Sequence, residues 1–228
     1  MLFRSELTGK YLETLGFAEG RDFMVIGCPS MYMKGKRLHI QNPKLDVNSK
    51  VCFNSNVAAS VPTRKFIKLK MKEFENHYFI GQVVNELRSI YLGAPYEYKI
   101  EYNFRNVTDK IYQDGRLRFF CNVPKWMEFL NDSDLTFGSR LHGNIAAVLA
   151  GTPALLVTKD SRTRELAEYH HLNAIHESKL NEKLTLQDLV EQQDFTQIEK
   201  YQKQNLDRYV AFLKKNDIPN IFMDGEDP

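Results

Sequence analysis

The stretch from Asp134 to Val157, Asp-Leu-Thr-Phe-Gly-Ser-Arg-Leu-His-Gly-Asn-Ile-Ala-Ala-Val-Leu-Ala-Gly-Thr-Pro-Ala-Leu-Leu-Val, constrains the fold more than any other. Leu135 and Phe137 suit a strand. Ile145, Val148 and Leu149 have the i, i+3, i+4 spacing of a helix over 144–150. Gly151 fits the left-handed position that ends a helix. Pro153 to Val157 is a short apolar run suited to a buried parallel strand. The unit therefore reads as strand, polar loop, helix, glycine stop, strand. Its loop, Ser139-Arg-Leu-His-Gly143, falls where open α/β sheets bind ligands, beyond the carboxyl ends of the strands. An Arg and a His beside the free N–H groups of a helix N-terminus suit an anion.

The rest of the chain repeats this alternation. Val51-Cys-Phe53, Tyr78-Phe-Ile80 and Arg118-Phe-Phe-Cys121 read as strands. Helices are expected over 62–77, 83–92 and 123–131, from Arg164 to about His171, and from Thr196 onward. Thr185-Leu-Gln-Asp188 and Thr196-Gln-Ile-Glu199 both resemble capping boxes, the second the better match. The order implies an α/β fold with an open parallel Rossmann-like sheet and helices on both faces. Lys65, Lys68, Lys70 and Lys72 are expected on a wet helix face. Residues 93–116 fit no regular pattern, and the tail from Asp224 to Pro228 is expected to fray.

The opening differs. Leu7, Tyr11, Leu12 and Leu15 mark a short amphipathic helix stopped by Gly16, and Phe23-Met-Val-Ile26 a strand. With no earlier strand in the pattern, residues 1–30 are expected to be the tail of an incomplete N-terminal Rossmann-like domain. Residues 31–50 read as a solvated linker, and 51–228 as a C-terminal Rossmann-like domain ending in a long helix.

Bulk properties exclude several classes. A net charge of +2 over 228 residues gives no case for nucleic-acid binding. No apolar run approaches the ~20 residues of a membrane span. No signal-peptide pattern opens the chain, so the expected location is cytoplasmic, extending to the inner face of a membrane. Cys28, Cys52 and Cys121, odd in number and far apart, read as buried reduced thiols.

Three groups of residues could do chemistry. Arg140 offers a fork of donors for phosphate or carboxylate, and His142 carries an imidazole, a group suited to passing protons. If 140–142 is extended, the two share a face. The plainer alternative ties Arg140 to a local carboxylate such as Asp134 and makes His142 a helix cap. Lys159, Asp160, Arg162 and Arg164 could reach the same crevice, or simply pair with Glu165 or Glu168. Arg4, with Glu6 and Thr8, would alone pass as a terminal charge. Cys28 and Ser30 could be nucleophiles, but no His is visibly placed to activate them. His170, His171 and His176 lack metal-site spacing.

Gly138-Ser-Arg-Leu-His-Gly143, Ala150-Gly-Thr-Pro153 and Asp160-Ser-Arg-Thr-Arg-Glu-Leu166 together resemble the polysaccharide pyruvyl transferase family. Arg4-Ser-Glu-Leu-Thr8, Gly16 and Gly27-Cys-Pro-Ser30 resemble that family's middle section. Family members carry an earlier Rossmann-like half with an Asn-x-Gly-Asp type loop. The resemblance implies a GT-B-like architecture, here its C-terminal domain plus a remnant of the first. It implies transfer of pyruvate from phosphoenolpyruvate onto two sugar hydroxyls as a ketal, with no cofactor besides that donor and no metal.

The residues matching the family's donor site are Arg140, Leu141, His142 and Gly143, with Arg4 and, more weakly, Lys159 or Arg162. His142 would be the catalytic proton carrier. The implied partners are phosphoenolpyruvate, a glycan or lipid-linked saccharide acceptor, and a separately encoded N-terminal half. Two other readings stand beside this one. One is a sugar-nucleotide glycosyltransferase using Glu165 on the ribose. The other is a non-catalytic partner subunit of a split transferase.

Overall fold

The computed structural model describes residues 2–94 and 106–221. Residues 95–105, within the stretch that fits no pattern, and the tail from Asp224 lie outside the described residues.

The chain opens with β1 (Leu2–Phe3), α1 (Glu6–Thr14) and β2 (Met24–Val25), and β1 pairs with β2 in parallel. A strand thus precedes the first helix, contrary to the sequence expectation; two residues are too few to give a period. α1 also packs the opposite way round. Its buried contact is Gly9, where an added Cβ would lie 2.9 Å from Val25 and 3.2 Å from Phe23. Leu7, Tyr11 and Leu15 face outward. Apolar spacing identified the helix but not its buried side.

A 3-10 turn, Pro29–Tyr32, leads into residues 33–50. This segment is not simply solvated. Met31, Leu38 and Ile40 are buried in one core cluster with Ile145, Ala146 and Leu149. The Ile40 N–H donates to Glu199, and His39 lies 3.1 Å from the same carboxylate.

The large sheet follows, with β3 (Val51–Asn54), α2 (Val61–Met71), β4 (His77–Gly81), α3 (Val84–Leu92), α4 (Lys110–Gln113) and β5 (Leu117–Phe119). Next come α5 (Val123–Asn131), β6 (Leu135–Gly138), α6 (Leu141–Leu149), β7 (Ala154–Thr158), α7 (Ser161–Tyr169) and β8 (Ala174–His176). α8 (Leu186–Glu191) and α9 (Gln197–Lys215) end the described chain. Six strands pair in parallel in the order β5-β4-β3-β6-β7-β8. The fold is α/β, as the alternation implied.

Burial on both faces explains why strands such as Val51–Asn54 are apolar without alternation. Cys52, Ile80 and Leu156 face one core cluster, with α6; Val51, Phe53, Phe79, Leu135 and Phe137 face the other.

Three local expectations change. Lys70 is buried rather than wet, its ammonium 2.6 Å from Glu73. Thr185 forms a true capping box with Asp188, whereas the Thr196 side chain makes no cap bond. Cys28 and Cys52 are buried free thiols, but Cys121 is exposed.

Candidate functional site

The chain order outward from β3 reverses between β3 and β6, so the crevice beyond Asn54 and Gly138 is the switch point of the sheet. These two strand ends touch. A Cβ on Gly138 would lie 2.0 Å from the Asn54 carbonyl oxygen, so only glycine lets β6 run this close to β3. The Asn54 side-chain oxygen then accepts the Arg140 N–H at 2.8 Å. Ser139 Oγ accepts the Asn56 N–H at 2.8 Å. Asn144 Nδ2 donates back to the carbonyls of Gly138 and Arg140. The motif thus ties the two strand ends to the start of α6.

That helix begins at Leu141, three residues before the apolar spacing placed it. Arg140 is its N-cap in extended conformation, and its side chain makes no cap bond. α1, α2, α5, α7 and α8 are capped by Ser5, Ser60, Asn122, Asp160 and Thr185. The first turn of α6 brings its backbone N–H groups to the switch point without such a cap, where the helix dipole favours an anion.

Because 141–142 is helical and not extended, Arg140 and His142 do not share a face. Arg140 Nε donates to the Ser55 carbonyl at 2.7 Å, and its terminal nitrogen lies 2.7 Å from Glu86. Its carboxylate partner is therefore Glu86 on α3, not Asp134, which accepts the Lys50 N–H instead. Glu86 is fully buried and also accepts the N–H groups of Gln82 and Val83. Burial pushes its carboxyl above the usual range against the pull of Arg140 and those two N–H groups.

His142 is exposed and turns toward the N-terminal unit, with Nε2 4.0 Å from Cys28 Sγ. A histidine thus does stand beside Cys28, contrary to the sequence expectation. The pair is 114 residues apart in the chain, so no local pattern announces it. Leu141 is buried. Gly143 is buried where a Cβ would lie 2.4 Å from Gln82 Nε2.

The remaining predicted residues come from other elements. Arg4 is exposed immediately after β1, at the same end of the small parallel sheet from which β2 leads to Cys28. Lys159 follows β7 and donates to the Ala58 carbonyl at 2.9 Å. It lines a cavity of about 120 Å³ with Asn56, Ser139, Thr63 and Glu177. Glu177 is held there by the hydroxyls of Ser60 and Thr63 at 2.7 and 2.8 Å. Arg162 is exposed in the first turn of α7, and Arg164 approaches Glu168 at 3.8 Å. Sequence reasoning missed Glu86, Asn54 and Gln82. Glu86 lies three residues after Val83, in the N3 position that a capping carboxylate favours, and that was the available signal.

A six-stranded parallel sheet with helices and a switch point between β3 and β6 defines an open-sheet α/β protein. The polysaccharide pyruvyl transferase family model matches residues 3–161, and the chain belongs to that family. No curated protein matches the chain in sequence.

Solved structures similar to it include the glycotransferase of kitacinnamycin, at 13% identity and a TM-score of 0.43, covering 89% of this chain and 51% of that one. A UDP-N-acetylglucosamine 2-epimerase matches at 13% identity and a TM-score of 0.44, covering 100% of this chain and 59% of that one. The S. aureus MnaA–UDP co-structure matches at 13% identity and a TM-score of 0.47, covering 100% and 61%. The chain spans between half and two thirds of the length of these proteins. Among the described residues no helix is long and apolar enough to cross a membrane.

Proposed function

We propose that this chain carries the donor side of a transferase that moves pyruvate from phosphoenolpyruvate onto two hydroxyls of a sugar in a glycan, forming a ketal and releasing phosphate. Family membership supports the transferase class. The observation that carries the donor assignment is the first turn of α6, uncapped at the switch point, with Arg140 and His142 at its start. Phosphoenolpyruvate puts a phosphate and a carboxylate on three carbons. The N–H groups at Leu141, His142 and Gly143 suit one of those anions. In this reading Arg4, Lys159 and Arg162 supply further positive charge to the donor, and Arg140 shapes the wall through its bonds to Glu86 and Ser55.

In the reaction the methylene carbon gains a proton, the central carbon takes on oxocarbenium character, and two sugar oxygens add to it as phosphate leaves. One hydroxyl proton ends on the new methyl group and the other leaves with phosphate. His142 carries the first of these, a role worth roughly 10²–10⁴ in rate. The glycan acceptor and a partner chain supplying a further Rossmann-like half belong to the same reading.

Titration calorimetry with phosphoenolpyruvate and a nucleotide sugar, side by side, tests it. Binding of phosphoenolpyruvate, weakened at least tenfold by a charge-reversing Arg4→Glu change and with turnover lost in His142→Ala, is the expected result. Binding of the nucleotide sugar alone would overturn the reading.

A further inference from the structure

Cys28 enters the fold where the N-terminal unit meets α6. Gly27 turns the chain there with φ +66°, and a Cβ at that position would lie 2.3 Å from His170 Nε2 and 2.5 Å from the Tyr169 ring. Glycine is needed for both reasons. The Cys28 N–H then donates to His170 Nε2 at 2.7 Å, which fixes the backbone. With the backbone fixed, the sulfur lies 3.0 Å from Ser30 Oγ and 4.0 Å from His142 Nε2. The thiol is buried while His142 is exposed. Nε2 is therefore the ring nitrogen next to the sulfur, which leaves Nδ1 for a second partner. A contact at the outer limit of a sulfur hydrogen bond is common for proton-transferring pairs without substrate, and such pairs tighten when substrate binds.

We propose that Cys28 is a positioning residue for His142: the chain Ser30–Cys28–His142 holds the imidazole by Nε2 and stores the proton that His142 exchanges with substrate. The proposal rests on the reading of His142 as proton carrier. Its steps balance. The thiol proton moves to Nε2, giving thiolate and imidazolium. The imidazolium gives its Nδ1 proton to the methylene carbon. Nδ1 then takes a proton from the attacking sugar hydroxyl, and the Nε2 proton returns to sulfur.

The surroundings agree with this pairing. Burial pushes the Cys28 thiol up, but hydrogen bonds from His142 and Ser30 more than offset it and bring the group to about 7. Cys52, buried beside Ser133, is pushed up to about 11 by the same desolvation. The other groups packed around Cys28 are Tyr169 of α7, His170 that caps its end, and Tyr32 of the 3-10 turn, with Tyr209 of α9 stacked on Tyr32. Burial lowers His170 to about 3 and raises both Tyr32 and Tyr169. These three are neutral near pH 7, so none of them sets a charge beside the thiol.

The test begins with the full chain carrying Cys121→Ser, which removes the exposed thiol. Thiolate absorbance in the ultraviolet is followed against pH with and without His142→Ala, a change at an exposed position. The expected result is a low titration that moves up by about one pH unit or more in His142→Ala, while the Cys52 step stays in place. Superimposable curves would overturn the proposal.

Turnover gives the second readout. Cys28→Ala should lower kcat at least tenfold and displace the pH profile with little change in KM for phosphoenolpyruvate, and Cys28→Ser should restore part of the loss. A wild-type rate and profile in Cys28→Ala would also overturn it. Failure to bind phosphoenolpyruvate would sink the donor reading instead, and it is distinguishable because the thiol titration needs no substrate.

Discussion

The guanidinium of Arg140 stands 2.7 Å from the carboxylate of Glu86, a side chain with no solvent exposure. A buried ion pair is costly to break from one side, because the remaining charge is stranded. Arg140→Ala and Glu86→Ala should each destabilise the protein by about 3 kcal/mol, read from urea unfolding. The double variant should lose less than the sum, because neither charge is then left alone. Additive losses would show that the pair is not coupled. A loss of turnover in Arg140→Ala is thus interpretable only beside its unfolding curve.

The two glycines of the central motif should respond differently to alanine. At Gly138 the new methyl would meet the Asn54 carbonyl oxygen of the neighbouring strand at 2.0 Å, and backbone cannot step aside. At Gly143 it would meet the end of the Gln82 side chain at 2.4 Å, which can swing away. Gly138→Ala should cost about 3 kcal/mol or more, at the upper end of overpacking penalties, and Gly143→Ala about 1. Thermal unfolding of the two variants side by side reads the order, and equal midpoints would contradict it.

His170 makes stability depend on acid. Burial holds its imidazole at about 3, well below the ordinary 6.5, so the folded state refuses a proton that the unfolded chain accepts. The contribution is complete above about pH 6.5 and is lost as pH falls from there toward 3, with a slope approaching 1.4 kcal/mol per pH unit. Relative to His170→Gln, the wild-type advantage should be largest near pH 8 and shrink on acidification. The difference between the two proteins cancels the other histidines. A pH-independent difference would contradict the assignment.

The two threonine starts near the carboxyl end can be separated in the same way. Thr185 Oγ1 accepts the Asp188 N–H at 3.1 Å and the Asp188 carboxylate answers to the Thr185 N–H at 2.7 Å. Thr196 instead donates its hydroxyl to Asp194. Thr185→Ala should cost about 1 kcal/mol, and Thr196→Ala, at an exposed position without a cap bond, less than half of that. Denaturant midpoints check the ranking.

What the sequence revealed and what it hid divide along a physical line. Gly151 sits at φ +86° as a helix stop should, and Leu135, Phe137 and Leu155 are buried as strand residues should be. These features are local and periodic, so one segment at a time is enough to find them. The start of α6 was misplaced because Leu141-His-Gly143 has no apolar period of its own. That turn is held in place by Asn54, on a strand far away in the chain. The partners of Arg140 and His142, Glu86 and Cys28, were hidden for the same reason, since each comes from a different element brought in by the sheet order. The outward turn of Leu7, Tyr11 and Leu15 shows that spacing identifies a stripe but not which stripe is buried.

The pairing of β3 with β6 also has a consequence for biogenesis. Val51 lies opposite Leu135, with β4, β5 and four helices, α2 to α5, between them in the chain. During synthesis β3, β4 and β5 can associate early, and Glu86 can take its place against β4 and β5. The crevice itself cannot exist until β6 has left the ribosome and displaced water from the open flank of β3. Closing so long a loop is slow relative to local pairing. The region that holds Arg140 and His142 is therefore completed late, and until then the apolar flank of β3 is the surface that a chaperone would need to shield.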